Sequence, residues 1–377
     1  MKVHLLEGSL PLYKELIENP PTGLQFSASK LAPAKKYYSL TRDIFLRIVN
    51  FAIRTLKLPR MTFVRTDADL IHTNRGIVIL NQKPWVLDLD HPVAFVGFNH
   101  REWLKDVYRK KVEKFLLSPK CRKIMPWSQA CVKALQSSFP ENWESLRKKT
   151  EVVYPATPVF LINKKPHNKI RLLFTSSLFW HKGGREVLQA FKILRKKYKN
   201  VELIVKSDIP EDLKKKYNFP EIKYLPYREN VLPREKLVQE LFAQSDIYVY
   251  PSYVDIFGLG LLDAMVAGLP IVASDVFAIP EIVEHNKGGL IIRSPLSWVG
   301  NDYLSRGIPS EKEIADKDFS EFAQNLANTI GKLIENAELR RKMGAFNRKL
   351  VESGKFSIPY RNKKLKRIYE EALNKPN

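Results

Sequence analysis

A strand, a glycine loop and a helix start follow one another in the segment 251–282, PSYVDIFGLGLLDAMVAGLPIVASDVFAIPEI, and this succession constrains the fold more than any other part of the chain. The apolar residues 247–250 predict the strand, and the loop 257–260 (FGLG) precedes the predicted helix. Gly268 followed by Pro270 is typical of a helix end. A glycine loop that joins a strand to a helix N-terminus is suited to binding a phosphate group.

Two carboxylates flank this loop, because Asp255 precedes it and Asp263 follows Asp255 by eight positions. Carboxylates accept hydrogen bonds from sugar hydroxyls, so the loop and the acidic pair together suit a nucleotide diphosphate sugar. Taken alone, two Asp residues are more simply a turn residue and a solvated helix residue. The strand, loop and helix around them favour the binding site.

The same segment resembles the signature of the family 4 retaining glycosyltransferases, which have the two-domain GT-B fold. That family usually has two Glu residues around a Phe-Gly-Leu core, and here Asp255 and Asp263 keep the spacing with side chains one methylene shorter. The resemblance implies that Asp255 faces the hydroxyls of the donor sugar and that Asp263 binds the ribose hydroxyls.

The second half of the chain alternates apolar strands with helices. Strands are predicted at 170–174, 201–205, 222–225 and 247–250. This order indicates a parallel, doubly wound sheet. Ligands of such sheets bind beyond the carboxyl ends of the strands. The loops that follow the first and the last of these strands are therefore expected to reach the same edge.

The loop after the first of these strands reads FTSSLFWHKGG (174–184). In the resembled family this loop begins with Gly-Arg-Leu and ends with Lys-Gly, and the Arg and Lys stabilise charge on the departing nucleotide. Lys182 matches, whereas Ser176 and Ser177 replace Gly-Arg. Three explanations for the missing cation stay open: another basic residue such as Arg185 replaces it, activity is lower, or the acceptor complex supplies it.

Lys182 is one of 63 basic residues, and a solvated loop lysine is the simpler interpretation of any one of them. Its place between a strand and a helix start favours a phosphate contact. The predicted donor-binding residues are Ser176, Ser177, Lys182, Phe257, Gly258, Leu259, Gly260 and Asp263.

A predicted strand in the first half, WVLDLDHP (85–92), ends in two acids and a histidine. Asp-x-Asp binds a divalent metal in the other glycosyltransferase architecture, but such pairs are common by chance, and the second half resembles a metal-independent fold. No metal and no cofactor are therefore expected. Asp90 and His91 are predicted to position the acceptor hydroxyl, so that the predicted catalytic residues are Lys182, Asp255, Asp90 and His91. The alternative for His91 is a capping role at the strand end.

The chain length suggests about two domains. The predicted fold is α/β, with two Rossmann-like, doubly wound parallel-sheet domains facing a cleft, as in GT-B. The predicted boundaries are an N-terminal acceptor-side domain at 1–162, a polar linker at 163–168, a nucleotide-sugar-binding domain at 169–356 and a C-terminal helix at 357–377 that crosses back to the first domain. The resemblance is strong over 169–293 and weak over 1–120, where the family's usual Gly-Gly loop is absent.

The formal net charge is +23, and the basic excess is greatest between residues 101 and 149. The positive electrostatic potential of such a basic chain favours anionic partners. The basic amphipathic stretches 43–58 and 101–117 suggest peripheral contact with an anionic membrane, although a helix that buries one apolar stripe in the core explains each of them alone. No nucleic-acid module is present, so no nucleic-acid partner is expected.

The expected location is the cytoplasm. The two cysteines, Cys121 and Cys131, suit a reducing compartment. The apolar stretch at the start of the sequence is too short for a secretory signal and is followed too soon by an acidic residue. No apolar run reaches the roughly 18 residues of a membrane span.

The sequence therefore predicts a retaining, metal-independent glycosyltransferase that moves a hexose-type sugar from a nucleotide diphosphate sugar to a glycan, lipid-linked or phosphorylated acceptor. Base selection is expected near Tyr227 and Arg228. The alternative is a catalytically impaired GT-B protein that binds nucleotide sugars or anionic surfaces. Ser177 favours this alternative, as do Phe277 and Ala278, which stand where the family usually has glycines.

Overall fold

The structure is a computed structural model that describes residues 1–7, 11–30, 57–227 and 233–374. Most of the helix predicted at 43–58 lies outside these residues. The chain forms two compact units. The first unit consists of Met1–Pro155, Val299–Gly307 and Ile358–Asn377, and the second unit of Ala156–Trp298 and Ile308–Ser357.

A parallel sheet forms the core of the first unit, and its described strands lie in the order β2-β1-β4-β6-β7. Strand β6 is buried along its whole length, as expected for a parallel strand covered on both faces. The strands are β1 (Lys2–Glu7), β2 (Gln25–Lys30), β3 (Met61–Thr62), β4 (Leu70–Thr73), β5 (Val78–Ile79), β6 (Trp85–Leu89) and β7 (Cys121–Pro126). The helices are α1 (Pro11–Glu18), α2 (His100–Trp103), α3 (Asp106–Leu117), α4 (Gln129–Ser138) and α5 (Trp143–Arg147), with a 3-10 turn at Pro92–Val96.

The second unit also has a parallel sheet, with its described strands in the order β10-β9-β8-β11-β12-β13. Its strands are β8 (Ile170–Thr175), β9 (Val201–Lys206), β10 (Ile222–Leu225), β11 (Ile247–Tyr250), β12 (Ile271–Ser274) and β13 (Gly289–Ile292). Its helices are α6 (Gly184–Lys197), α7 (Glu211–Lys216), α8 (Arg234–Leu237), α9 (Leu259–Val266), α10 (Ile279–Ile282), α11 (Glu311–Ala315), α12 (Ser320–Glu335) and α13 (Ala337–Glu352). The predicted doubly wound sheet is confirmed.

The last helix, α14 (Ile358–Asn374), belongs to the first unit, which confirms the predicted return of the chain. Its Tyr369 is fully buried, and the hydroxyl lies 2.8 Å from His72 Nδ1 of β4. Its Arg361 forms a buried ion pair with Glu15 of α1. These contacts fix both ends of the helix to the first unit.

The observed division of the chain differs from the predicted boundaries in three places. Residues 156–162, predicted to lie in the N-terminal domain, belong to the second unit. The residues predicted as a linker are bound to the second unit, because the backbone N–H groups of Asn163 and Lys165 donate to the side chains of Gln239 and Gln244 at 3.2 and 3.1 Å. The segment Val299–Gly307 belongs instead to the first unit, where Lys133 Nζ donates to Tyr303 Oη at 3.2 Å.

The helix predicted at 101–117 is two helices, α2 and α3, because Lys105 between them has an extended backbone. The apolar side chains of Tyr108, Val112 and Leu116 on α3 are buried in the first unit. Core packing therefore accounts for this apolar stripe. Among the residues that the structure describes, no helix is both long enough and apolar enough to cross a bilayer.

We expect the substitution Arg361→Ala to lower the free energy of unfolding by about 3–5 kcal/mol, because it removes the guanidinium group that pairs with the buried carboxylate of Glu15. The measurement is a urea titration followed by tryptophan fluorescence. The matched control on the same helix is Arg367→Ala, whose side chain is 48% exposed, with an expected loss below about 1 kcal/mol. Equal losses in the two variants would contradict a structural role for the buried pair.

Candidate active site

Two loops of the second unit, one after β8 and one after β11, lie against each other. The backbone N–H of Tyr253 donates to the carbonyl of His181 at 2.9 Å. Gly183 has a φ of +72°, and a Cβ at this position would lie 2.4 Å from the carbonyl oxygen of Pro251. Glycine adopts this positive φ without steric cost, and its lack of a Cβ permits the close approach. The close contact brings the side chains of the two loops together.

Lys182 and Asp255 form an ion pair across these loops. The Lys182 ammonium donates to Asp255 Oδ2 at 2.5 Å and to the carbonyl of Val254 at 2.5 Å. It also lies 5.5 Å from the centre of the Tyr250 ring. The two charged side chains are only 14% and 13% exposed. The structure thus joins two residues that are 73 positions apart in the sequence and that were both predicted to be catalytic.

The Asp255 carboxylate is held ionised by its neighbours. Burial alone raises the pKa of this group, but the charge and hydrogen bond of Lys182 and the Tyr250 hydroxyl hold it below its ordinary value. The backbone N–H groups of Ile256 and Phe257 also donate to Asp255 Oδ1, at 2.7 and 3.1 Å. A carboxylate held in this way is an acceptor for hydroxyl groups at neutral pH.

Helix α9 begins directly after the glycine loop. Gly258 caps it with a φ of +81°, and a Cβ there would lie 2.8 Å from Leu261 Cδ1. Gly260 faces the hydroxyl of Tyr248, which would lie 3.0 Å from an added Cβ. Leu259 is partly exposed, whereas Phe257 is buried with its ring edge-on to Phe356. The predicted strand, glycine loop and helix N-terminus are all present, and such a terminus carries partial positive charge.

Asp263 on α9 is paired with Arg234, which the sequence analysis did not identify. Arg234 Nε donates to Asp263 Oδ1 at 2.6 Å, and Nη2 donates to the hydroxyl of Thr157. Burial raises the pKa of Asp263, and the charge of Arg234 opposes this shift. Since Arg234 is one of many basic residues and lies 29 positions before Asp263, no sequence signal marked it.

Ser176 and Ser177 differ in exposure. Ser176 is buried, and its Oγ accepts from the backbone N–H of Leu178 at 2.8 Å, so this hydroxyl closes a local turn. Ser177 is exposed and lines a cavity of about 600 Å³ at the strand ends. Arg185, considered above as a replacement cation, is bound elsewhere, because its guanidinium donates to the carbonyls of Ala315 and Lys317 at 2.7 and 2.9 Å. It therefore does not supply the cation missing at Ser177.

Asp90 and His91 follow β6 in the first unit, and both are buried. Arg75 Nε donates to Asp90 Oδ2 at 2.7 Å. His91 Nδ1 accepts from the backbone N–H of Val93 at 3.1 Å, and its Nε2–H faces the carbonyl of Tyr303 at 3.3 Å. Burial lowers the pKa of His91 to about 3, so the ring is neutral. His91 does cap the 3-10 turn, and its predicted role toward an acceptor stays a prediction.

Comparison with known proteins gives the fold and the enzyme class. Residues 160–299 match the family model described as "Glycosyl transferases group 1". An uncharacterized glycosyltransferase of Haemophilus influenzae is 28% identical over 262 residues, which are 67% of this chain and 68% of that protein. The HepE protein of Anabaena, solved with UDP and glucose, superposes with a TM-score of 0.59 at 17% identity over 98% of this chain and 99% of its own.

The protein is a glycosyltransferase of the GT-B fold. WaaG, described as a glycosyltransferase involved in lipopolysaccharide biosynthesis, has the same fold, with a TM-score of 0.56 at 15% identity over 97% of this chain and 99% of its own. The predicted fold class and the predicted enzyme class are both confirmed.

Two Asp-x-Asp pairs occur in the first unit of this glycosyltransferase, Asp88 with Asp90 and Asp67 with Asp69, and their carboxylates have other neighbours. Asp67 pairs with Lys2 at 2.8 Å, and Asp69 accepts from the backbone N–H of Lys2 at 2.8 Å. Asp88 lies 3.5 Å from His72 Nε2. In the described part of the chain, no three His, Cys, Asp or Glu side chains gather as ligands for a metal ion.

Besides Arg234, two further residues of the glycosyltransferase contact the candidate site. Tyr250 donates its hydroxyl to Asp255, and the Trp298 indole N–H donates to the Asp255 carbonyl at 3.2 Å. Tyr250 is the last residue of β11, directly before the loop, so its position in the sequence could have identified it as a site residue. Trp298 lies 43 positions beyond Asp255, and only folding brings it there.

We expect Lys182→Met to destabilise the second unit by about 3 kcal/mol at pH 7, because Asp255 is then buried without a cation. In the wild type, the pKa of Asp255 is lower in the folded than in the unfolded protein, so its ionised form stabilises the fold at pH values above the ordinary pKa. This stabilisation is lost as the pH falls through the lower pKa of the folded protein. In the variant, burial raises the pKa of Asp255 in the folded protein above its ordinary value, so the free energy of unfolding falls as the pH rises. The difference in the free energy of unfolding between the wild type and the variant should therefore become smaller as the pH falls below about 4.

Urea titrations of the wild type and the variant between pH 3 and pH 8 measure this difference. Lys214→Met is the matched control, since its ammonium pairs with the exposed Glu211 on helix α7. A loss for Lys182→Met that does not change with pH would show that the pair does not set the ionisation of Asp255.

Proposed function

We propose that this glycosyltransferase transfers a hexose-type sugar from a nucleotide diphosphate sugar to a glycan, lipid-linked or phosphorylated acceptor, with retention of configuration and without a metal ion. The observation that carries the proposal is the Lys182–Asp255 pair beside the glycine loop and the N-terminus of α9. It combines a cation for a diphosphate with an ionised acceptor for sugar hydroxyls.

Each group of the donor has a partner in this arrangement. The diphosphate lies at the glycine loop, where the helix terminus and Lys182 offer positive charge. Asp255 accepts from the sugar hydroxyls, and Asp263 accepts from the ribose hydroxyls. Arg234 holds the shorter Asp263 side chain in place through its bond of 2.6 Å. Arg234 is thus a positioning residue for the ribose contact.

The reaction breaks the bond between sugar C1 and the β-phosphate oxygen, and the bonding electrons leave with that oxygen. The acceptor hydroxyl attacks C1 on the same face, and its proton passes to the departing phosphate oxygen. The products are the glycosylated acceptor and the nucleoside diphosphate, so atoms and charge balance. Lys182 stabilises the charge that develops on the leaving group. No covalent intermediate with the enzyme is needed.

The similar proteins support both ends of this reaction. HepE was solved with UDP and glucose, which supports a nucleoside diphosphate and a hexose at the donor site. WaaG is described as involved in lipopolysaccharide biosynthesis, which supports a glycan or lipid-linked acceptor. The basic surface of this chain, with a net charge of +23, also suits an acceptor that carries phosphate.

We expect calorimetry without metal to detect selective binding of one class among UDP-, GDP- and ADP-sugars. The substitution Asp263→Ala should weaken this binding by about 1–3 kcal/mol, because a charged hydrogen bond to the ribose is lost. Asp212→Ala, an exposed carboxylate on α7, is the matched control and should bind as the wild type does. Asp263→Asn, which can still contact Arg234, separates loss of the ribose contact from loss of folding.

We expect the product linkage to keep the anomeric configuration of the donor, because attack and departure share one face of the sugar. Proton NMR of the glycosylated product gives the configuration through its anomeric coupling constant. The rate should be unchanged by EDTA, since the proposed charge stabilisation comes from Lys182. An inverted anomer would disprove the mechanism, and absence of donor binding would favour an impaired protein that binds anionic surfaces instead.

A further inference from the structure

We propose that Lys206 is a second catalytic cation of the donor site, whose ammonium group binds the diphosphate of the donor and stabilises the charge on the leaving oxygen. This inference rests on the proposed function and adds to it the residue that replaces the cation missing at Ser177. Its basis is the burial of Lys206, its incomplete set of partners and its place at the sheet edge.

Lys206 ends strand β9, and only 8% of the residue is exposed. Its ammonium donates to the carbonyl of Pro226 at 3.0 Å. Within the described residues Lys206 forms no ion pair, and its single hydrogen bond uses one of its three N–H donors. By contrast, the ammonium of Lys149 donates to three carbonyls, at 3.1, 3.0 and 2.8 Å. A buried ammonium without an anion is costly, so this position favours an anionic ligand.

Lys206 lies on the sheet face that carries α9. Its register partner is Thr175, the last residue of β8, and partners in a parallel pair point to the same face. The Thr175 hydroxyl lies 3.1 Å from the hydroxyl of Tyr248. That same Tyr248 hydroxyl faces Gly260 in the first turn of α9. Lys206, Thr175 and Tyr248 therefore lie on the sheet face against which α9 packs.

Aromatic side chains lead from Lys206 to Lys182 along this face. The Lys206 ammonium is 5.9 Å from the ring centre of Tyr227, and the stacked rings of Tyr248 and Tyr250 have centres 5.8 Å apart. Burial raises the pKa of both stacked tyrosines, and the charge of Asp255 and the nearby Tyr227 hydroxyl add to the shift. Lys182 lies over the Tyr250 ring at the far end of this row.

The loop that carries Ser177 starts at the strand end next to Lys206. The backbone N–H of Ser176 donates to the carbonyl of Lys206 at 3.0 Å, so the loop that carries Ser177 starts beside Lys206. Ser177 brings no charge, and the guanidinium of Arg185 is bound to distant carbonyls. From the end of the neighbouring strand, Lys206 thus adds a second positive charge to that of Lys182.

The test compares binding of UDP, GDP and ADP with binding of the corresponding nucleosides by calorimetry. For the diphosphate that the wild type binds, Lys206→Gln should lower the affinity about 10- to 100-fold, as expected for a lost hydrogen bond to a charged group. Affinity for the nucleoside should not change. Lys206→Arg, which keeps the charge, should stay within a few-fold of the wild type. Lys223→Gln, on the neighbouring strand β10 and exposed, is the matched control.

The transfer rate at saturating donor gives the second readout, and Lys206→Gln should lower it because charge on the leaving oxygen is less stabilised. If the wild type binds UDP, GDP or ADP and Lys206→Gln binds it equally well, the inference is wrong while the proposed function stands. Equal losses of nucleoside and diphosphate affinity in both Lys206 variants would show a structural role and overturn it. If the wild type binds none of them, the proposed function itself fails.

Discussion

A buried ion pair between Lys182 and Asp255 joins the loops that follow β8 and β11, and the candidate donor site is arranged around it. The pair exists because Gly183 lets one loop approach the carbonyl of Pro251 more closely than a side chain would allow. The same pair keeps Asp255 ionised in a position where burial alone would favour its neutral form. Loss of either Lys182 or the glycine would therefore disturb the fold of the loops and the charge of the site together.

Among the described residues of the second unit, the buried charges near this pair do not all have an oppositely charged partner. Asp255 has Lys182, and Asp263 has Arg234, whereas the buried ammonium of Lys206 has only a carbonyl among the described residues. Among the described residues, the positive charge of Lys206 at the carboxyl edge of the sheet is thus not balanced by an anion. A nucleoside diphosphate carries the opposite charge, which gives a physical reason for the proposed donor binding at this edge.

The first unit shows where local sequence patterns are insufficient. Residues 101–117 have an apolar period that fits one helix, yet the extended backbone of Lys105 divides them, and the stripe on α3 packs into the core. His91 was predicted to contact an acceptor or to cap the strand end, and the capping contact is the one observed. Its partner Tyr303 lies 212 positions later in the chain, so no local pattern could identify that contact.

The alternation of strands and helices, the glycine loop and the likeness to glycosyltransferases can be recognised in the amino-acid sequence, because these features depend on spacing within short segments. The pairing of charged side chains depends instead on tertiary structure. The bonds of Lys182 to Asp255 and of Arg234 to Asp263 span 73 and 29 positions, and Trp298 reaches Asp255 over 43. A parallel sheet collects the ends of strands that are far apart in the chain, so the partners of each side chain at that edge follow from strand order rather than from neighbouring residues.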